Sequence, residues 1–261
     1  MYNFIDACEL QGEKNLPAES FSINGIILED EVIGYRTLSV SGRELISDEV
    51  VDKTIGRQNG SIYLHKRHLP REIQVKYQLI SKDPYEFRNQ FNRLNQILNF
   101  ENAKIIFNDE TDKYFLGTKS DVDLPEAGRL AFTSYFSIYC PKPYKYCVGE
   151  KTVNGAGVIT LRNEGTLGAP VKIYSVLGKN ATFVDYTIDN RRLRIERPFE
   201  IGDTVYIDMS TLNVTVNAKS VWDDIDPGME PLLVPVGVWK LNATDSNGDI
   251  SATVAFRERW M

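Results

Sequence analysis

The chain has 261 residues, 42% of them hydrophobic and 25% charged, with a formal net charge of -6. At about 100–200 residues per domain this is one large domain or two ordinary ones, with enough chain to bury a core without disulfides. Residues 1–140 carry 16 Lys and Arg against 21 Asp and Glu, a mild acidic excess that makes the chain a poor candidate for tight, phosphate-driven nucleic-acid binding, which needs clustered cations.

The opening MYNFIDACEL has neither the basic start nor the apolar run of a signal peptide. No stretch reaches the ~18 apolar residues of a membrane span, so the expectation is a protein folded in a cytoplasm, with no membrane role. SINGIIL, 22–28, is short and β-branched and predicts a strand. REIQVKYQLI, 71–80, alternates strictly, with Ile73, Val75, Tyr77 and Leu79 on one face, and predicts a half-buried strand. DPYEFRNQFNRLNQILNF, 83–100, predicts a helix. Asp83 suits the N-cap, Pro84 the first helical position and Glu86 a capping box. Phe87, Phe91, Leu94, Ile97 and Leu98 form its apolar stripe. AKIIFNDETDKYFLG, 103–117, predicts a β-hairpin around an exposed acidic turn, and RLAFTSYFSIY, 129–139, a further strand.

CPKPYKYCVGEKTVNGAG, 140–157, is rich in proline and glycine and reads as a linker between a domain at 1–142 and another at 143–261. Beyond it come VITL, VKIYSVL, ATFVDYTI, RRLRIE, DTVYIDM, NVTVN, GVWKLNA and ISATVAFRE, short strands at regular spacing with no helix. That pattern predicts a β-sandwich or jelly roll.

No constellation in the sequence carries chemistry. The two histidines, His65 and His68, sit in YLHKRHLPREI. SIYL before them reads as strand and Pro70 disfavours helix, so the two rings point to opposite sides, and no third histidine exists to complete a metal site. There is no G-x-S-x-G elbow or cysteine signature. The acidic group Asp223, Asp224 and Asp226 reads as a turn, and DSNGD, 245–249, as a hairpin rather than a calcium loop. Cys8, Cys140 and Cys147 have neither CxxC nor zinc-knuckle spacing and read as thiols. No cofactor is implied. Trp222 and Trp239, with Tyr174, Tyr186 and Tyr206, are candidate sugar-stacking aromatics; core or edge aromatics are the plainer reading.

The order of features goes further. FSINGI, VSGREL, GRQNGSIYLHKRHLPREIQVKYQL, the DPYEFRNQFNRLNQIL helix, the AKIIFNDETDKYFLG hairpin, the entry RNEGTLGAPVKIY and the ending FRERW, in that order, resemble the distal tail protein (Dit) family of long-tailed, non-contractile phages and prophages of Gram-positive bacteria. The resemblance implies a mainly β chain. Its N-terminal part would be a tail-tube-like sandwich with one helix and an extended hairpin, and its C-terminal part a galectin-like sandwich. It also implies a non-enzymatic, homo-hexameric ring at the virion tail tip, assembled in the bacterial host cytoplasm. Such a ring joins the tail-tube protein to the tail-tip (Tal-like) protein, lets DNA through as cargo, and in some phages carries a receptor-binding protein or meets cell-wall glycan. On this chain the implied ring and partner contacts are Lys66, Arg67, Arg71, Phe107, Asp109, Glu110, Lys113 and Tyr114, with the hairpin 103–117 and strands 71–80 and 129–139 pairing between copies. His65 and His68 would then add pH sensitivity to assembly. The alternatives are a carbohydrate-binding adsorption module of a phage tail, resting on the second half, and a tail-tube protein, against which the long second domain argues.

Overall fold

The computed structural model describes residues 16–56, 59–123, 129–226 and 229–261. The opening decapeptide with Cys8 lies outside the described residues. The chain forms two compact units that meet between Pro143 and Tyr144.

The first unit contains β1 (Phe21–Ile23), β2 (Ile26–Ile27), α1 (Leu28–Glu31), β3 (Tyr35–Ser41), β4 (Asp48–Thr54), β5 (Ser61–His68), β6 (Arg71–Ile80), α2 (Pro84–Leu98), β7 (Ala103–Phe107), β8 (Lys113–Val122) and β9 (Ala131–Cys140). SINGIIL is a tight hairpin rather than one strand. Asn24 and Gly25 take φ of 50° and 87°, the left-handed pair that a two-residue turn demands. Strand order runs β2-β1-β7-β8-β9-β6-β3. The sheet folds over at β8, which gives Phe115–Gly117 to β7 and Thr118–Val122 to β9, so one strand serves two layers. Gly117 sits at this corner, where an added Cβ would lie 2.5 Å from Ile138 Cγ2.

Strand β6 behaves as its alternation predicts, with Ile73, Val75, Tyr77 and Leu79 buried. Helix α2 starts as expected. The Asp83 carboxylate accepts from Glu86 N–H at 2.8 Å, and Glu86 reaches back to Lys82 N–H at 2.8 Å, one residue before the usual capping-box partner. Leu94, Ile97 and Leu98 are buried, each contributing roughly 1.5–3 kcal/mol by leaving water. Phe87 and Phe91 stay half-buried and stack toward Phe132.

The second unit contains β10 (Lys145–Cys147), β11 (Lys151–Asn163), β12 (Ala169–Val176), β13 (Ala181–Ile188), β14 (Arg191–Phe199), β15 (Thr204–Asp208), β16 (Asn213–Val216), β17 (Lys219–Ser220), a 3₁₀ turn (Trp222–Asp224), β18 (Leu233–Val234), β19 (Gly237–Asp245), β20 (Gly248–Asp249), β21 (Ser251–Phe256) and β22 (Arg259–Trp260). The expected linker therefore holds β10 and the start of β11. Strand β11 repeats the device of β8. Lys151–Ala156 pair with β21 in one layer, Gly157–Asn163 pair with β19 in the other, and Gly157 at the switch has φ +64°. The layers are β11-β21-β12-β15-β16-β17 and β14-β13-β19-β11, closed over a core that includes Leu161, Ile173, Tyr186, Ile207 and Val254. The fold is thus mainly β, with a sandwich in each unit.

The two motifs at the ends of this unit pack on each other. Glu258 is buried and accepts from Glu164 N–H at 2.5 Å and from Lys151 Nζ at 2.7 Å. Thr166 N–H donates to the Arg259 carbonyl at 3.0 Å, while the Arg259 guanidinium donates to the Gly168 carbonyl. A Cβ on Gly165 would stand 2.4 Å from that Arg259 oxygen, so the site requires glycine. Asn163 ties the same loop by donating to the Leu167 and Val234 carbonyls.

Candidate assembly interface

Strands β6, β7 and β9 all lie inside their sheet: β6 between β9 and β3, β7 between β1 and β8, β9 between β8 and β6. Their backbone groups already pair within the unit, so the pairing between copies that the resemblance implied for 71–80, 129–139 and the hairpin 103–117 is corrected. Three of the expected contact residues are also internal. Phe107 is core. Tyr114 is buried. Arg71 is buried and donates to the Pro143 carbonyl at 3.0 Å and the Gly42 carbonyl at 2.8 Å, with burial depressing its pKa.

The acidic turn is also engaged at home. Arg43 lies over the Phe107 ring at 3.9 Å and grips Asp109 through both terminal nitrogens, at 3.0 and 2.7 Å. Lys113 lies 3.1 Å from Glu110 and 3.2 Å from Asp112. The expected exposed acidic element is therefore largely neutralised by its own cations.

What projects instead is the hairpin of β4 and β5. These strands pair with each other and with no other strand among the described residues. Almost every residue of both is exposed. Register runs Asp48↔His68, Val50↔Lys66 and Val51↔His65, then slips, leaving Leu64 unmatched in a bulge before Asp52↔Tyr63. Several of the arm's charges pair across its two strands. Lys66 bonds Asp48 at 3.0 Å, His68 Nδ1 contacts the same carboxylate at 2.5 Å, and Arg67 pairs with Glu49. Hydrogen bonds from Lys66, then His68, hold the Asp48 carboxyl below its ordinary range. Lys66 and Arg67 thus find acids on the neighbouring strand of the same chain, where the resemblance implied ring or partner contacts. The apolar groups remain in water: Val50 is 59% exposed, Ile62 49%, Tyr63 60% and Leu64 53%. A two-stranded hairpin alone is marginally stable in water, so this arm, with apolar side chains exposed on both faces, is the candidate contact element.

Strand β3 ends its layer, but this edge is partly guarded. Glu29 accepts from Thr37 N–H and Glu19 from Val40 N–H, at 3.1 and 2.8 Å.

No group of three or more His, Cys, Asp or Glu among the described residues could hold a metal ion. No helix of those residues is long and apolar enough to cross a membrane. Of the candidate sugar aromatics, Tyr186 is core and donates to Ser175 Oγ at 2.9 Å, while Trp239 packs against the core with Nε1 on the Val236 carbonyl. Trp222, Tyr174 and Tyr206 reach the surface.

Two family profiles match the chain. Residues 31–135 match the phage tail protein RIFT-related domain, and residues 164–260 the siphovirus-type tail component, C-terminal domain. The chain belongs to the distal tail protein (Dit) family of siphophages. Its fold agrees with the crystal structure of SPP1 Dit, described as a paradigm of the hub adsorption apparatus in phages infecting Gram-positive bacteria. Identity is 19% and TM-score 0.78, over 93% of this chain and 99% of that one. Chains of the phage P2 baseplate in its activated conformation match more faintly, at 9% identity over 86% of this chain and 90% of theirs, with TM-scores of 0.47 with Ca and 0.44 with Sr. No curated protein matches. The family and fold are those of a structural phage tail protein.

Proposed function

We propose that this protein is a tail-tip hub. Six copies close a ring around a DNA channel, with the tail-tube protein on one side and the tail-tip protein on the other. The observation that carries this reading is the β4–β5 arm, which pairs with no other strand among the described residues and exposes four large apolar side chains. A head-to-tail contact, the arm of one copy on the body of the next, closes a ring when the rotation is right. The hub described for SPP1 Dit supports the same role. Burying the exposed half of each of the four side chains is worth about 1 kcal/mol apiece, so roughly 4 kcal/mol per contact, and a closed ring repeats the contact around its axis.

The test is light scattering and negative-stain imaging of the chain with its tail-tip partner, as found and with Tyr63→Lys/Leu64→Glu. Rings are expected from the first and folded monomers from the second. Rings in both, or in neither, would refute the reading.

A further inference from the structure

In the second unit, one row crosses six strands on the outer face of a single layer. The register Asn154↔Thr253, Thr253↔Tyr174, Tyr174↔Tyr206, Tyr206↔Thr215 and Thr215↔Ser220 sets six side chains abreast. Their strand neighbours Ile173, Val205, Ile207, Val214 and Val254 are buried, so the row faces out. Two tyrosines stand at its centre, 46% and 36% exposed, between an amide and hydroxyls, and the row carries no charge. The nearest charges one row along are engaged: Lys172 bonds Glu150 at 3.0 Å and Asp208 accepts from Ser210 Oγ at 2.6 Å.

Beside Tyr174 the face is concave. An open groove of about 400 Å³ is lined by Asn154, Tyr174, Val176, Ser251 and Thr253. It lies where β11 leaves this layer at Gly157 for the other. That volume is in the range of small-ligand sites, which combine apolar walls with a few placed polar groups.

We propose that this groove and the Tyr174–Tyr206 pair bind a neutral oligosaccharide. A sugar offers an apolar C–H face, which suits a half-exposed tyrosine ring, and hydroxyls around its rim, which suit the amide, hydroxyls and phenol at hand. An anionic wall polymer or a nucleic acid would require cations, and the row supplies none. A lipid surface would require a continuous apolar face, and hydroxyls interrupt this one. The site stands on the second unit by itself and is independent of ring formation.

The experiment follows the ¹³C-labelled tyrosines of the full chain by NMR while cellotetraose, maltotetraose, chitotetraose or poly(glycerol phosphate) is added. At least one of the neutral tetrasaccharides is expected to move the Tyr174 and Tyr206 signals, and poly(glycerol phosphate) to leave them in place. Tyr174→Ala is expected to weaken binding by roughly twofold to tenfold, the worth of one aromatic contact. Tyr174→Phe, which keeps the ring, retains most of it, and Trp222→Ala changes nothing. Immobile signals with all the neutral sugars overturn the proposal, as does binding that survives Tyr174→Ala/Tyr206→Ala. Equal response to poly(glycerol phosphate), or self-association at this face in place of sugar binding, also overturns it.

Discussion

Glu258 is a sharp place to test the account of the second unit. Its side chain is 5% exposed, and it joins the FRERW ending to the RNEG entry by accepting from Glu164 N–H and Lys151 Nζ. Hydrogen bonds to a charged group contribute about 1.5–3 kcal/mol each. Lys151 is 38% exposed and keeps Glu164 at 3.2 Å, so its share falls to about 1 kcal/mol or less. Glu258→Ala should therefore cost about 2–4 kcal/mol, most of it from the stranded Glu164 N–H. The assay is urea unfolding read by tryptophan fluorescence. Trp222, Trp239 and Trp260 are the chain's three tryptophans and all lie in the second unit, so the signal is specific to it. Glu258→Gln retains an acceptor for Glu164 N–H and should lose about half as much. A shift below about 0.5 kcal/mol for Glu258→Ala, the size of an ordinary surface change, would refute the argument, as would equal losses for Ala and Gln.

Two further tests concern the first unit. Gly117→Ala places a Cβ 2.5 Å from Ile138 Cγ2 and 3.0 Å from Cys140 Sγ, so it should destabilise that unit by about 1–3 kcal/mol, with the tryptophan transition unmoved. Burial pushes the Cys140 thiol up to about 12, partly countered by Arg71, so the folded state holds the proton longer than the unfolded one. This contribution is whole below the ordinary thiol value of 9.0 and is lost as pH rises from there toward about 12, by at most about 1.4 kcal/mol per pH unit. Far-UV circular dichroism in urea at stepped pH should show that slope in the native chain and a shallower one in Cys140→Ala.

The strands were legible wherever one side of a segment met a core. In 71–80 the alternation matched β6 residue for residue, because burial of one face writes a period of two into the chain, and ATFVDYTI matched β13 in span. Helix α2 was legible from Asp83-Pro84 and its stripe. The corners at Gly117 and Gly157 were not. A strand that changes sheets keeps its local geometry, and only the partners on either side reveal the switch. The KTVNGAG stretch was read as linker for the same reason: glycines that usually end a strand here let one bend and continue.

The strands expected to pair between copies proved internal for a different physical reason. Alternation and hairpin signals identify segments whose apolar groups are already used, so they led to β6, β7 and β9, the interior of a sheet. The arm lacks that signature. Val50 and Val51 are adjacent, as are Ile62 and Tyr63, and adjacent residues on a strand face opposite ways. By register, Val50 and Tyr63 share one face of the ribbon, and Val51 and Ile62 share the other. A β-ribbon with apolar side chains on both faces has no period to read, and the proposed ring would supply the surface that this arm lacks within its own chain. It also constrains the proposed ring. A neighbour laid against one face would leave the other in water. The arm should therefore sit in a cleft between surfaces, and Val50→Lys and Ile62→Lys, on opposite faces, should each weaken assembly rather than only one of them.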